Sequence, residues 1–361
     1  MNRLISLDAL RGFTIAAMIM VNYPGSENYI YFPLRHTEWN GLSFTDQIAP
    51  YFLYFVGVSI ALAYSKRLDA GTARATLYRK IFFRSLKIYA VGMFLNLMPG
   101  FDFHTIRWTG TLQRIAIVFG LSALLYLNTN WKQQAWIAFG LLVSYWLALT
   151  CIPTPGVGKV MLEPGVNIVA WIDTKFLPGR MWRGTWDPES LLTNITSVVS
   201  CITGMLAGRL LLTDKTPGEK VNYLMTAGTF MALAGYLWGL AFPLNENLWT
   251  SSFVLVTSGF ASLLFGAFYF LVDIKGHTWG TKPGIIFGAN AITIYFFADV
   301  WALIFYDTKW GGVSLNDRFV NGWTSAGADP RLASWVYALL FVGVNFIPAW
   351  VLYRRKIFVK L

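Results

Sequence analysis

The chain has 361 residues, of which 55% are hydrophobic, 17% aromatic and only 13% charged, with a mean hydropathy of +0.49. Soluble domains average about 25% charged residues, so the chain carries too much apolar surface for a soluble globular protein and far too much for a disordered one. Two cysteines, Cys151 and Cys201, do not make a disulfide scaffold, and what remains is an all-α, polytopic membrane protein.

A helix needs roughly 20 largely apolar residues to cross the hydrocarbon core. Stretches free of Asp, Glu, Lys and Arg run over 12–26, 47–65, 88–101, 115–131, 133–158, 190–208, 221–245, 247–272, 283–298 and 332–353. They predict a bundle of about ten transmembrane helices, because lipid leaves helix as the form each span can take. The third stretch is short, but Arg84 and Lys87 can snorkel, so its helix begins near residue 80. The ninth extends past Asp299 to about Tyr306. The first is read as a retained helix: Asp8 and Arg11 interrupt its apolar part, and no small-x-small cleavage site follows.

Lys and Arg set the orientation. With both termini cytoplasmic, nineteen of the 29 cationic residues fall inside, among them Arg3, Arg11, the run Lys66–Lys87, Arg354, Arg355, Lys356 and Lys360. Topogenic charge then explains the basic balance without a nucleic-acid partner, and some of these cations can also meet an anionic cofactor. The expectation is a single domain over 1–361, multi-pass in the inner (cytoplasmic) membrane and surrounded by its lipids. Its external loops fall at about 24–45, 152–189 and 307–332. Gly204 and Gly208 form a GxxxG pair for helix packing, inside the subunit or between subunits of a homodimer.

Three histidines are present. His277 lies on a turn beside Gly276 and His104 in a short outer loop. His36 lies in the polar outer segment Leu34-Arg35-His36-Thr37-Glu38-Trp39-Asn40-Gly41. This is either an interfacial loop with a Trp anchor or the seat of proton transfer, for which imidazole suits neutral pH. Asn22 closes the first span before the turn Tyr23-Pro24-Gly25. Asp46 opens the second span, where a carboxylate either orients an imidazole or caps the helix. Gln113 and Arg114 open the fourth span, and Asn245, Glu246 and Asn247 the eighth. Asp8 and Arg11 stand three residues apart and can pair. Asn290 and Asp299 lie within the ninth span, where an ionisable group is by default functional. The sequence has no metal-ligand spacing, Walker loop, GxGxxG or nucleophile elbow. Polar groups near an outer face and a basic inner face fit a transporter, or an enzyme using a cytoplasmic cofactor on an external substrate; the residues alone do not choose.

Seven segments, in this order, carry a resemblance. They are Arg3-Leu4-Ile5-Ser6-Leu7-Asp8-Ala9-Leu10-Arg11-Gly12-Phe13, Val21-Asn22-Tyr23-Pro24-Gly25, the block from His36-Thr37-Glu38-Trp39-Asn40-Gly41 to Asp46, Gly110-Thr111-Leu112-Gln113-Arg114, Trp186-Asp187-Pro188-Glu189, the block from Pro243 through Asn245-Glu246-Asn247-Leu248-Trp249 to Thr250, and Gly288-Ala289-Asn290-Ala291-Ile292. Together they resemble the heparan-α-glucosaminide N-acetyltransferase family, specifically its bacterial members. The resemblance implies acetyl transfer from cytoplasmic acetyl-CoA, as co-substrate and with no metal, to a terminal glucosamine or related amino sugar on the far side of the membrane. Rival readings are a sugar transporter or exporter and an envelope-glycan O-acyltransferase. The family's active-site histidine falls on His36 and its asparagine after the first core helix on Asn22, though extra residues around 26–31 alter the spacing. In this reading His36 is general base, Asn22 an oxyanion donor and Asp46 the group that orients His36, with an acetyl-His36 intermediate as the alternative route. Arg11, Gln113, Arg114, Asn247 and Asn290 are then the candidate contacts to the cofactor.

Overall fold

The structure is a computed structural model describing residues 4–98 and 100–359; Arg3 and Lys360, counted above among the inner cations, lie outside the described residues. Its contacts group into two compact units. One comprises residues up to Thr37, the segment 43–49 and everything from Lys275 onward; the other comprises 38–42 and 50–274.

The first unit is organised around α1 (Ile5–Asn22). Short 3-10 turns at Phe32–Leu34 and Thr45–Gln47 follow, the second leading into α2 (Ile48–Asp69), whose first two residues belong to this unit. In its C-terminal part, α10 (Thr281–Ala289) and α11 (Ala291–Ala302) meet at Asn290 with an 83° bend, and α11 runs on as a π turn to Asp307. Then come a short amphipathic helix, α12 (Leu315–Ser325), and α13 (Pro330–Arg354), which starts on the side-chain cap of Asp329 with Pro330 in its first turn. Helices α10 and α13 pack against α1.

The second unit holds the rest of α2 and the helices α3 (Arg74–Leu97), α4 (Thr111–Asn128), α5 (Trp131–Cys151), α6 (Ile168–Phe176), α7 (Thr193–Leu211), α8 (Pro217–Gly239) and α9 (Ser251–Phe268), the last extended by a π turn to Ile274. Two starts are written in the sequence as capping boxes, Asn130 with Gln133 for α5 and Thr216 with Glu219 for α8. Helix α7 is the core: 72% of its apolar window is buried, against 28% for α5, and α4, α5 and α9 all pack on it. The GxxxG pair serves this packing. A Cβ on Gly204 would lie 1.9 Å from the Tyr54 carbonyl oxygen, and one on Gly208 2.6 Å from Ala61 Cβ, so these glycines admit α2 to α7 within the subunit.

All ten apolar stretches are helical, and no strand occurs among the described residues. Not all of them meet the same standard of length and apolarity among the described residues. Seven helices are individually long and apolar enough to cross a membrane, and the bent α10–α11 pair makes an eighth. Helix α3, with 24 residues, and α8, with 23, have the length. Their compositions set them apart: α3 exposes Arg74, Arg79, Lys80, Arg84 and Lys87, and Thr, Gly and charged residues dilute α8. The loops at about 152–189 and 307–332 are also more ordered than their Pro and Gly content suggests, since α6 lies in one and α12 in the other. The molecule is a multi-pass, all-helical membrane protein.

Candidate active site

Asp46 is built into the turn ahead of α2 by a reciprocal pair: its amide donates to Ser43 Oγ at 3.3 Å, and its Oδ2 accepts from the Ser43 amide at 2.7 Å. These two bonds close the turn from Ser43 to Asp46. Oδ2 also accepts from the Thr37 hydroxyl at 3.0 Å, and the Thr37 amide points at the same carboxylate. The other oxygen, Oδ1, lies 2.9 Å from His36 Nδ1. One carboxylate thus bonds both the turn ahead of α2 and the imidazole. Its side chain is fully enclosed while that of His36 is 51% exposed. A proton on Nδ1 donated to Asp46 leaves the lone pair on Nε2, the tautomer a general base requires.

Asn22 ends α1 with its side chain exposed, and that side chain takes no hydrogen bond from the described residues. The turn behind it is held firmly. The Tyr23 hydroxyl donates to Asp299, which gives the intramembrane carboxylate its partner. The Tyr306 hydroxyl donates to the carbonyls of Tyr23 at 2.7 Å and Pro24 at 3.0 Å. Arg11 pairs with Asp8 at 3.9 Å, as their spacing suggests. Asn290 is buried at the α10–α11 bend and tied to the chain's tail: its Nδ2 donates to the Ile357 carbonyl at 2.9 Å, and its Oδ1 accepts from the Val359 amide at 2.8 Å. His104 and His277 are exposed, in keeping with solvated loops.

In the second unit the Trp39-Asn40-Gly41 and Asn245-Glu246-Asn247 blocks meet. Asn245 Nδ2 donates to Asn40 Oδ1 at 3.1 Å, and the Gly41 amide donates to the Leu244 carbonyl at 2.8 Å. Asn247 is half-buried close by in sequence. Trp249 adopts φ +47°, a left-handed conformation rare for a bulky residue. Its indole donates to Ser200 Oγ at 3.1 Å, and the Arg114 guanidinium stacks on its ring at 4.4 Å. Arg114 is buried; one Nη donates to the Pro188 carbonyl at 2.6 Å and to Thr193 Oγ1 at 2.8 Å. A cavity of about 210 Å³ opens beside it, lined among others by Gln113, Arg114, Glu189, Asn194, Trp108 and Tyr89. Gln113 and Arg114 thus share one cavity.

The loop residues Asp187 and Glu189 belong to the quoted motifs, but spacing gives them no role. The structure does: Arg107 Nε and Nη2 donate to both oxygens of Asp187, at 2.7 and 2.6 Å, and Nη2 also reaches Glu189. Burial opposes ionisation of Asp187, yet hydrogen bonds and charge from Arg107 outweigh it and hold the carboxyl below its usual range. Burial likewise opposes the Arg107 charge, and the two carboxylates overcome it to hold the guanidinium more firmly protonated than usual. Asp173 on α6 behaves in the opposite way. Burial pushes it up to about 6, offset only in part by the Ser190 hydroxyl and the Leu191 amide. No sequence spacing marks the Arg107 cluster, since Arg107 lies 80 residues or more from both of its carboxylate partners; the Trp-Asp-Pro-Glu run is the one available signal.

The family model for heparan-alpha-glucosaminide N-acetyltransferase, catalytic, matches residues 3–101, the part of the chain that contains Asn22, His36 and Asp46. The heparan-alpha-glucosaminide N-acetyltransferase of Mus musculus is 26% identical over 419 aligned positions, covering 100% of this chain and 61% of the relative. The protein of the same name from Homo sapiens is 27% identical over 418, covering 99% and 60%. The chain spans about three fifths of the length of these curated relatives. The resemblance carried by the sequence motifs is matched by this similarity, which runs along the whole chain at 26–27% identity.

Proposed function

We propose that the protein is a transmembrane N-acetyltransferase that moves acetyl from cytoplasmic acetyl-CoA to the amine of a terminal glucosamine or related amino sugar on the outer side of the membrane. The observation that carries this reading is the His36–Asp46 pair: a half-exposed imidazole 2.9 Å from a fully enclosed carboxylate, inside the segment that matches the catalytic family model. In this reading Nε2 of His36 takes a proton from the neutral sugar amine as the nitrogen attacks the thioester carbonyl carbon. The C–N bond forms, the oxyanion collapses, the C–S bond breaks, and the CoA thiolate takes the proton from His36. Asp46 holds the ring and stabilises the imidazolium. Asn22 donates to the oxyanion, a contribution typically worth about 10²–10³ in rate.

The chain's residues suit an anionic, long-armed acetyl donor. The cations exposed along α3, Arg74, Arg79, Lys80, Arg84 and Lys87, match its phosphates in sign, and Arg11 adds to them. Gln113 and Arg114 are the better supported of the remaining contacts because both line a cavity; Asn247 is half-buried, and Asn290 is engaged with the tail.

The test is thiol release by purified protein given acetyl-CoA and glucosamine. Release is expected from the parent and abolished in His36→Ala, with folding unchanged. Undiminished release from His36→Ala would overturn the assignment. Release with N-acetylglucosamine, which has no free amine, would point to O-acylation. Movement of sugar into liposomes without CoA turnover would point to transport. Exchange of labelled acetyl-CoA in the absence of acceptor would replace direct transfer by the acetyl-histidine route.

A further inference from the structure

The turn that follows Asn22 is held from four directions. From α11, Asp299 accepts from the Tyr23 hydroxyl; from the π turn beyond it, Tyr306 donates to the carbonyls of Tyr23 and Pro24. From α12, Asn316 Nδ2 donates to the Gly25 carbonyl at 3.1 Å. From α13, the Ser334 carbonyl accepts from the Gly25 amide at 3.1 Å, while the Ser334 hydroxyl accepts from the Ser26 amide at 3.0 Å. Ring contacts tighten the same spot, with Tyr23 4.9 Å from Phe341 and Tyr306 5.8 Å from Tyr337. There is no room for slack. A Cβ on Gly25 would come within 2.9 Å of Ser334 Cα, Tyr337 Cβ and Val320 Cγ2.

This is far more restraint than a helix end needs. A carboxylate inside a span is expensive, and here it secures the hydroxyl of the residue next to Asn22. The backbone is fixed at 23–26 while the Asn22 carboxamide itself is left exposed and without a hydrogen bond from the described residues. A donor aimed at a developing oxyanion requires this combination, since its value depends on being in place before the charge appears.

We infer that Tyr23, Tyr306 and Asp299 are positioning residues that set the carboxamide of Asn22 for acetyl transfer. The inference rests on the reading of Asn22 given above. Misplacing a catalytic group by about 1 Å costs on the order of 10²-fold in rate, and loss of one of several anchors costs less. Tyr306→Phe, which frees two carbonyls but keeps the ring, is expected to lower kcat roughly tenfold, with KM for acetyl-CoA within about twofold of the parent. Tyr23→Phe should behave alike. Asp299→Asn, which keeps an oxygen to accept from Tyr23, should retain kcat within about threefold.

A double-mutant cycle separates positioning from general damage. In the Asn22→Ala background the Tyr306→Phe effect should vanish. If it persists at full size, or if Tyr306→Phe alone runs at the parental kcat while Asn22→Ala is slow, the inference falls and the role of Asn22 stands. If Asn22→Ala itself keeps the parental kcat, the oxyanion reading falls and takes the inference with it. Should Tyr306→Phe fail to fold, Ser334→Ala, which removes only the hydroxyl at Ser26, serves the same cycle with the same two outcomes.

Discussion

Asp46 and Asp187 are both fully enclosed carboxylates in segments outside the long helices, and each faces a cationic or protonatable partner, but the partners differ. Arg107, opposite Asp187, is only 12% exposed and is clasped again by Glu189, whereas His36, opposite Asp46, is 51% exposed. In the first case both ends are fixed, and the guanidinium keeps its charge at any pH the protein meets. That arrangement fastens loops. In the second the carboxylate is fixed and about half of the imidazole faces outward. A buried anion alone therefore does not distinguish the two pairs; the exposure of its partner does.

The sharpest way to break this contrast is to remove one charge from each pair. Asp187→Asn leaves Arg107 buried beside a neutral group, and breaking such a pair typically costs about 3–5 kcal/mol. Thermal unfolding in detergent should show the loss, and the folded fraction should turn over at the parental rate. The pH dependence has a definite sign. The Asp187 carboxyl is held below its usual range, so its contribution is present above the unfolded-state pKa and fades as pH falls through the lower folded value. Asp187→Asn should remove that acid sensitivity. A slow but stable Asp187→Asn protein would contradict the division of labour.

Asp46→Asn is the mirror experiment. The carboxamide can still accept from Ser43 and Thr37, so unfolding should change little, while kcat should fall about 10- to 100-fold as the imidazolium loses its counter-charge. Loss of stability without loss of kcat would reduce Asp46 to a cap.

Asp173 supplies the smallest effect. Its folded pKa of about 6 lies above the ordinary carboxyl value, so ionisation is penalised in the fold. The penalty is absent below the unfolded value, grows as pH rises and is complete above about 6. Asp173→Asn should stabilise the protein at pH 7.5 by roughly 1–2 kcal/mol and leave no gain at pH 4. Equal unfolding temperatures of parent and variant at both pH values would show that burial does not raise this carboxyl above its ordinary range.

Much of this was legible in the sequence, for identifiable reasons. Runs without charge mark helices because lipid tolerates little else, and Asp46 stands only ten residues from His36, near enough in sequence for their pairing to be one of two readings of the carboxylate. Other features depend on partners far apart in sequence. Tyr23 and Asp299 are separated by 276 positions, and nothing near Tyr23 announces an acid. The bend at Asn290 carries no proline of its own, and α6 and α12 are too short for periodicity to show. Freedom from charge and apolar density are different measures: α8 has length and few charges, yet is not among the seven most clearly apolar helices.

The basic end of the chain reads as a topogenic tag, but it also splints a fractured membrane helix. At the break, where helical pairing lapses, the carboxamide of Asn290 closes a two-bond ring with Ile357 and Val359. Shortening the protein to Arg354 would strand that amide at a cost of about 1–3 kcal/mol. A purification handle therefore belongs beyond Val359 on a loose spacer, where it does not compete for the splint.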